Sequence, residues 1–202
     1  MRSALMIDCE TLSLKHNAAI LTIGAVVFDP YGNNTVSELM SARNSLYLEV
    51  SLDGQDKLYG RDFDADTILW WMEQPEESRM RAFHGKADMS LPGALQALTF
   101  WAVATSGCLA ENLEVWSKGI ANDYVWLENA THALHLNWPF RYRNARCLRT
   151  LQEISGIQPF DVSGLTKHHA QHDAIYQVLL AQQIMNFIKE GVTNEKSLAK
   201  AG

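Results

Sequence analysis

Apolar residues come in short runs separated by turn-rich polar stretches, and two such runs open the chain. ALMI at 4–7 ends at Asp8, and AAILTIGAVVF at 18–28 is almost continuously apolar. Joined by the polar connection TLSLKHN at 11–17, and with turn residues in DPYGN at 29–33 after the second, these runs predict a hairpin of strands 4–9 and 19–28. Alternation of Leu46, Leu48, Val50 and Leu52 marks a third strand within 44–52. After a polar stretch, Asp66 is placed to cap a helix through TILWWMEQ that stops before Pro75. Glu76 to Phe83 predicts a second short helix, and Pro92 suits an early turn of another from Leu91 to about Thr105. LEVWSKG at 113–119 predicts a strand feeding directly into a helix over 122–134. Further helices are expected from Arg146 to Ile154, ending at Gly156, and from Ala170 to Ile188. The order predicts an α/β fold, a mixed central β-sheet flanked by helices, as one domain over 1–190 with a flexible tail at 191–202.

Composition narrows the class. With 47% hydrophobic and 20% charged residues in 202, the chain is neither disordered, nor a coiled coil, nor a disulfide-stapled miniprotein. It has no run of 18 apolar residues and no signal-peptide pattern, so no membrane association is expected. Its three cysteines, Cys9, Cys108 and Cys147, are widely spaced, which points to reduced thiols and a cytoplasmic setting. The net charge of -6 conceals an asymmetry: residues 1–130 carry 18 acidic and 9 basic groups, residues 131–202 carry 5 and 8. That excludes a uniformly basic nucleic-acid coat, but leaves room for a carboxylate cluster beside a basic patch.

Asp8 and Glu10 stand two apart at the end of the first strand, so both can point to one place. They could equally be a solvated strand end. Asp123 opens a helix just after a strand, where capping alone would account for it, as Asn122 beside it also could. Asp173 enters the last helix, with His168 five residues earlier. His169 and His172, three apart, lack the further ligands of a structural zinc site. Taken together, four carboxylates and a histidine suit phosphodiester hydrolysis. Two Mg²⁺ ions about 3.5–4 Å apart, with Mn²⁺ able to substitute, prefer such hard oxygen ligands. An imidazole can take a proton from water near neutral pH.

These residues resemble the DEDDh branch of the DnaQ-like, or RNase T-like, 3′–5′ exonuclease superfamily. Its Asp-x-Glu-Thr motif stands here as Asp8-Cys9-Glu10-Thr11, and its final His-x-x-x-x-Asp motif runs from His168 to Asp173. The second aspartate matches Asp123, although the usual separated Asn is here the adjacent Asn122. The offset to Asp173 selects His168 over His169. DADTILWWMEQPEESRMRAF is similar to a paired-Trp segment in a phage and bacterial subgroup related to mycobacterial 3′–5′ exoribonucleases. The resemblance, over residues 4–188, implies an RNase H-like fold, two metals on Asp8, Glu10, Asp123 and Asp173, and His168 as general base. It implies a 3′–5′ exonuclease that releases nucleoside 5′-monophosphates from single-stranded DNA or RNA with a free 3′ end. Many members are dimers, so a homodimer is among the expected states. The alternatives are an RNase H-like endonuclease and a catalytically inactive module that binds nucleic acid or protein.

On the substrate side, the expected contacts are Thr11, Leu12, Trp70, Trp71, Asn122, Arg146 and Lys167. Leu12 would wedge between terminal bases, or else pack the strand end. Trp70 and Trp71 could stack on bases. Helical neighbours point about 100° apart, so at least one belongs to the core. Arg141, Arg143, Arg146 and Arg149 form the densest basic segment, and with Lys167 could guide a phosphate chain or lie on a solvated face.

Overall fold

The computed structural model describes residues 3–83 and 89–198. Its centre is a five-stranded sheet in the order β3-β2-β1-β4-β5. The strands are β1 (Ala4–Thr11), β2 (Ile20–Phe28), β3 (Ser45–Glu49), β4 (Glu114–Ser117) and β5 (Ala145–Cys147). β1 pairs antiparallel with β2 and β2 with β3, whereas β1–β4 and β4–β5 are parallel. This is the mixed sheet of the RNase H-like, DnaQ-like fold. The helices are α1 (Val36–Leu39), α2 (Gln55–Tyr59), α3 (Ala65–Glu73), α4 (Glu76–Ala82), α5 (Leu91–Ser106), α6 (Asp123–Ala133), α7 (Leu148–Ser155) and α8 (Ala170–Leu198). Among the described residues, no helix is long and apolar enough to cross a membrane.

Strand alternation sorts β1 between two cores. Leu5, Ile7 and Cys9 pack with Leu95 and Leu98 of α5 and Leu127 of α6. Ala4 and Met6 pack on the other face with Ile175, Val178 and Ile184 of α8. Asp8 and Glu10 continue the second set, so the α8 face turns from apolar to acidic towards the end of β1. A third cluster joins Leu12, Ala19, Leu21, Trp71 and Ala82 at that end.

Several boundaries depart from expectation for identifiable reasons. Asp64, not Asp66, caps α3: its Oδ1 accepts the Thr67 N–H at 2.9 Å, and Asp66 sits in the first turn. Arg146, expected in a helix, lies in β5, and α7 begins at Leu148. A three-residue strand is too short to show periodicity, and only its pairing with β4 defines it. α1 and α2, of four and five residues, escape for the same reason. α8 runs to Leu198 rather than Ile188; its apolar pattern fades before that, but no proline interrupts the backbone ladder.

Gly24 sets the position of α8. It pairs with Asp8 in the β1–β2 register. A Cβ there would stand 2.1 Å from the carbonyl carbon and oxygen of Ala170. Only a glycine lets the first turn of α8 lie directly on the sheet beside Asp8.

Candidate active site

Three elements meet at the end of β1. Beyond Met6, β1 has outrun its pairing with β4, and the Cys9 N–H donates instead to Asp123 Oδ1 at 3.0 Å. Asp123 is thereby drawn under β1 as the first residue of α6. Gln177, one turn along α8 from Asp173, donates from its side-chain amide to Asp8 Oδ1 at 2.6 Å and accepts the Lys118 N–H at 3.0 Å. Asp173 accepts the His168 N–H at 2.8 Å. Ligand atoms of Glu10, His168 and Asp173 all lie within 4.8 Å of one another, and carboxylates with an imidazole at that spacing can hold a metal ion.

The electrostatics mark a site short of positive charge. Burial raises the Asp8 carboxyl well above its ordinary pKa, and the charges of Asp123, Glu10 and Asp173 push the same way, against the Gln177 amide. Glu10 is raised by burial and then by Asp173 and Asp123. Asp123 rises to about 7 by burial, although the Cys9 N–H and Arg149 favour its charged form. Asp173 is raised by burial against the opposing pull of His168 and Lys118. Divalent cations would relieve all four together.

His168 has a left-handed backbone, φ 58°, uncommon for a residue with a side chain. Its ring meets Trp70 edge-on at 5.0 Å and Trp71 at 6.1 Å. His169, the neighbouring choice, is turned inward and stacks between Tyr47 and His172. The two neighbouring histidines thus stand in different surroundings, His168 beside Glu10 and Asp173 and His169 in a buried ring stack.

Two clefts flank the carboxylates. One, of about 650 Å³, is lined by Glu10, Thr11, Leu14, Trp70, Trp71 and Trp126 among others. The other, of about 370 Å³, includes Lys118, Phe160, Lys167, His168, Asp173 and Tyr176. Trp70 is 41% exposed in the first cleft, while Trp71 is 1% exposed and donates its Nε1–H to the Thr11 carbonyl at 3.0 Å. Trp71 is thus chiefly a core residue with one edge on the cleft. Thr11 is buried beside it, its hydroxyl bonded to the Ser13 carbonyl.

Three of the expected substrate contacts, Leu12, Arg146 and Asn122, do not line either cleft. Leu12 is 2% exposed and packs against Trp71, so it has no free face for a base; Leu14, 75% exposed, is the leucine that lines the cleft. Arg146 is turned away: its guanidinium pairs with Glu114 Oε1 at 3.0 Å, and Glu114 is level with Ala4, about 13 Å before Asp8 along the strand. Arg149, two positions into α7, is the arginine whose charge acts on Asp123. Asn122 starts α6 through its backbone, accepting the Trp126 N–H at 2.7 Å, and its side chain lies near Gly119. Lys167 does border the second cleft.

Comparison with known proteins agrees with this fold. Residues 3–185 match the family model described as the 3′-5′ exoribonuclease Rv2179c-like domain. The exodeoxyribonuclease of Enterobacteria phage T4 is 21% identical over 210 residues, covering 90% of this chain and 88% of that one. Among solved structures, the nuclease domain of 3′hExo, a DEDDh family member bound to rAMP, superposes with a TM-score of 0.55 at 10% identity, covering 91% of each chain. E. coli Exonuclease I in complex with an oligonucleotide gives 0.53 at 12% identity, covering 91% of this chain and 40% of that one. S. pombe Pop2p in its Mg²⁺- and Mn²⁺-bound form gives 0.51 at 12%, covering 90% and 82%. With its family model spanning nearly the whole chain, the chain belongs to the 3′-5′ exoribonuclease Rv2179c-like family, and it shares its fold with these nucleases.

Proposed function

We propose that the chain is a metal-dependent 3′–5′ exonuclease that shortens single-stranded nucleic acid from a free 3′ end and releases nucleoside 5′-monophosphates. The observation that carries this reading is the meeting of four wholly or partly buried carboxylates from β1, α6 and α8, each held towards its protonated form, with His168 at their edge. The donor set fits hard divalent cations, because oxygen ligands predominate and their mutual repulsion is uncompensated by nearby cationic side chains in sufficient number. Asp8, Glu10, Asp123 and Asp173 would hold them. Two Mg²⁺ ions, or Mn²⁺, would neutralise charge on the phosphoryl oxygens and favour both attacking water and leaving oxygen.

The remaining steps belong to the chain's own groups. Water attacks the phosphorus of the last phosphodiester, an imidazole nitrogen of His168 takes its proton, and the phosphorus–O3′ bond breaks as the departing oxygen takes a proton from solvent. The shortened strand keeps a 3′-hydroxyl, and the terminal nucleotide leaves as its 5′-monophosphate. The first cleft accommodates the terminal nucleoside, with Trp70 as a stacking face and Leu14 against the base. Lys118, Lys167 and Arg149 supply positive charge around the phosphates.

The test uses end-labelled linear RNA and DNA oligonucleotides and a circular single strand, each with Mg²⁺, Mn²⁺ or EDTA. Stepwise shortening from the 3′ end, abolished by EDTA and greatly reduced but still measurable in Asp8→Ala and His168→Ala, is the expected result. Comparison of the two linear substrates decides between the ribonuclease activity in the family's description and the DNA activity in the phage relative's name. Cleavage of the circle would indicate an endonuclease, and binding without cleavage an inactive module; either would overturn the proposal.

A further inference from the structure

His169 and His172 take no part in the cluster of Glu10, His168 and Asp173, yet both are almost fully buried, at 5% and 8% exposure. We propose that His172 is a positioning residue for His168, acting through the backbone of the segment that precedes it. The inference rests on the reading of His168 as the base.

The segment is conformationally demanding. It opens on Gly164, φ 84°, and closes on His168, φ 58°. A non-glycine residue keeps a positive φ only where its surroundings over-determine it. Four contacts do so. The Thr166 N–H donates to His172 Nδ1 at 2.9 Å, and the His168 N–H donates to Asp173 Oδ2 at 2.8 Å. The Ser78 hydroxyl of α4 donates to the Lys167 carbonyl at 2.9 Å, and the Thr166 hydroxyl reaches Glu77 at 3.2 Å. Two consecutive residues of the first turn of α8 therefore each accept one amide from the segment, and together they template its course.

His172 can do this because its ring is immobilised. It lies on the His169 ring at 4.1 Å and 17°, and His169 lies on Tyr47 of β3 at 4.4 Å and 26°. The stack ties α8 to the sheet and aims Nδ1 at Thr166. An accepting Nδ1 places the ring proton on Nε2. The pair thus has a role that needs no metal: it carries the position of the sheet, through three rings and one hydrogen bond, to the residue beside the carboxylates.

Two substitutions separate acceptor from shape. His172→Phe keeps a stacked ring but loses the acceptor, whereas His172→Asn offers an amide oxygen near the place of Nδ1. Steady-state kinetics on an oligonucleotide and Mn²⁺ affinity by calorimetry are measured for both, alone and with His168→Ala. His172→Phe is expected to lower kcat about tenfold or more, the scale of a misplaced catalytic group. KM and Mn²⁺ affinity should change less than about twofold, and His172→Asn should recover most of kcat. In the His168→Ala background, His172→Phe should cause no further loss. Unchanged kcat in His172→Phe, a folded but inactive His172→Asn, or an equal further loss without His168 would each overturn the inference while leaving the proposed function standing. Full activity in His168→Ala would instead overturn the assignment of the base, and this inference with it.

Discussion

Asp8 touches no cationic side chain in its described hydrogen bonds, and faces three other carboxylates; its amide partner Gln177 satisfies one oxygen without neutralising it. Replacing a buried charge in such a place should relieve the fold and remove the chemistry. Asp8→Asn is expected to raise the melting temperature in EDTA by a few degrees. It should lower nuclease activity on the order of 10²–10³-fold, the scale of a lost electrostatic contribution to catalysis. Thermal melts beside activity assays check both, and a destabilised, active variant would contradict the electrostatic account. Trp70 and Trp71 make the complementary case. Trp70→Ala should raise KM about tenfold, as loss of one stacking face does, with kcat little changed. Trp71→Ala should destabilise the fold by about 3–5 kcal/mol, since it empties the buried cluster with Leu12 and Ala82. Helical geometry shows in the sequence that the two rings diverge. Which one goes inward is decided by the Thr11 carbonyl that receives the Trp71 Nε1–H, a partner 60 positions away.

Among the elements, α8 does most to build the site, since it brings Asp173 and Gln177 onto the acidic end of β1 while Ile175 and Val178 fill the core below. Its seating depends on Gly24. Gly24→Ala would drive a methyl group into the Ala170 backbone, so α8 must lift or the strand must bend. The expected outcome is a loss of about 1–3 kcal/mol in denaturant melts, with Mn²⁺ affinity weakened because Asp173 moves relative to Asp8. A stable variant with unaltered Mn²⁺ binding would show that α8 is not set by this contact. Nothing local singles out Gly24 within a continuous apolar strand; its requirement comes from a helix 146 positions later. The short β5 is a similar case. It exists because β4 offers it hydrogen bonds, and its formation splits the arginine-rich segment so that Arg146 points to Glu114 while Arg149 acts on Asp123.

At the scale of the whole molecule, the proposed metal site would couple stability to pH and to metal. A carboxyl whose folded pKa lies above its unfolded value binds its proton more readily in the folded state, so its ionisation opposes folding. The penalty is absent below the unfolded value near 4, develops as pH rises, and is complete above the folded value, about 7 for Asp123. Asp8, Glu10 and Asp173 act in the same direction. In EDTA the contribution of these groups should therefore fall between about pH 4 and pH 7, and Asp123→Asn should flatten that dependence. Adding Mn²⁺ should raise the melting temperature more at pH 8 than at pH 5, because protons no longer compete for the carboxylates. Melting curves across pH, with and without Mn²⁺, decide the matter; a metal effect independent of pH would contradict it. The acidic balance of -6 does not by itself argue against an anionic substrate, since carboxylates in a cluster that could hold a metal ion contribute to it. By itself, the sequence determined what local rules control: the alternation that puts Asp8 and Glu10 on one face, the strand-to-helix junction at Asp123, the offset between His168 and Asp173, and the α/β order. Only the tertiary structure decided that these residues meet and that Leu14 rather than Leu12 faces the cleft. The physical reason is separation along the chain. The Cys9–Asp123 and Asp8–Gln177 hydrogen bonds join residues 114 and 169 positions apart, and such contacts arise from packing against the sheet, not from any neighbour in sequence.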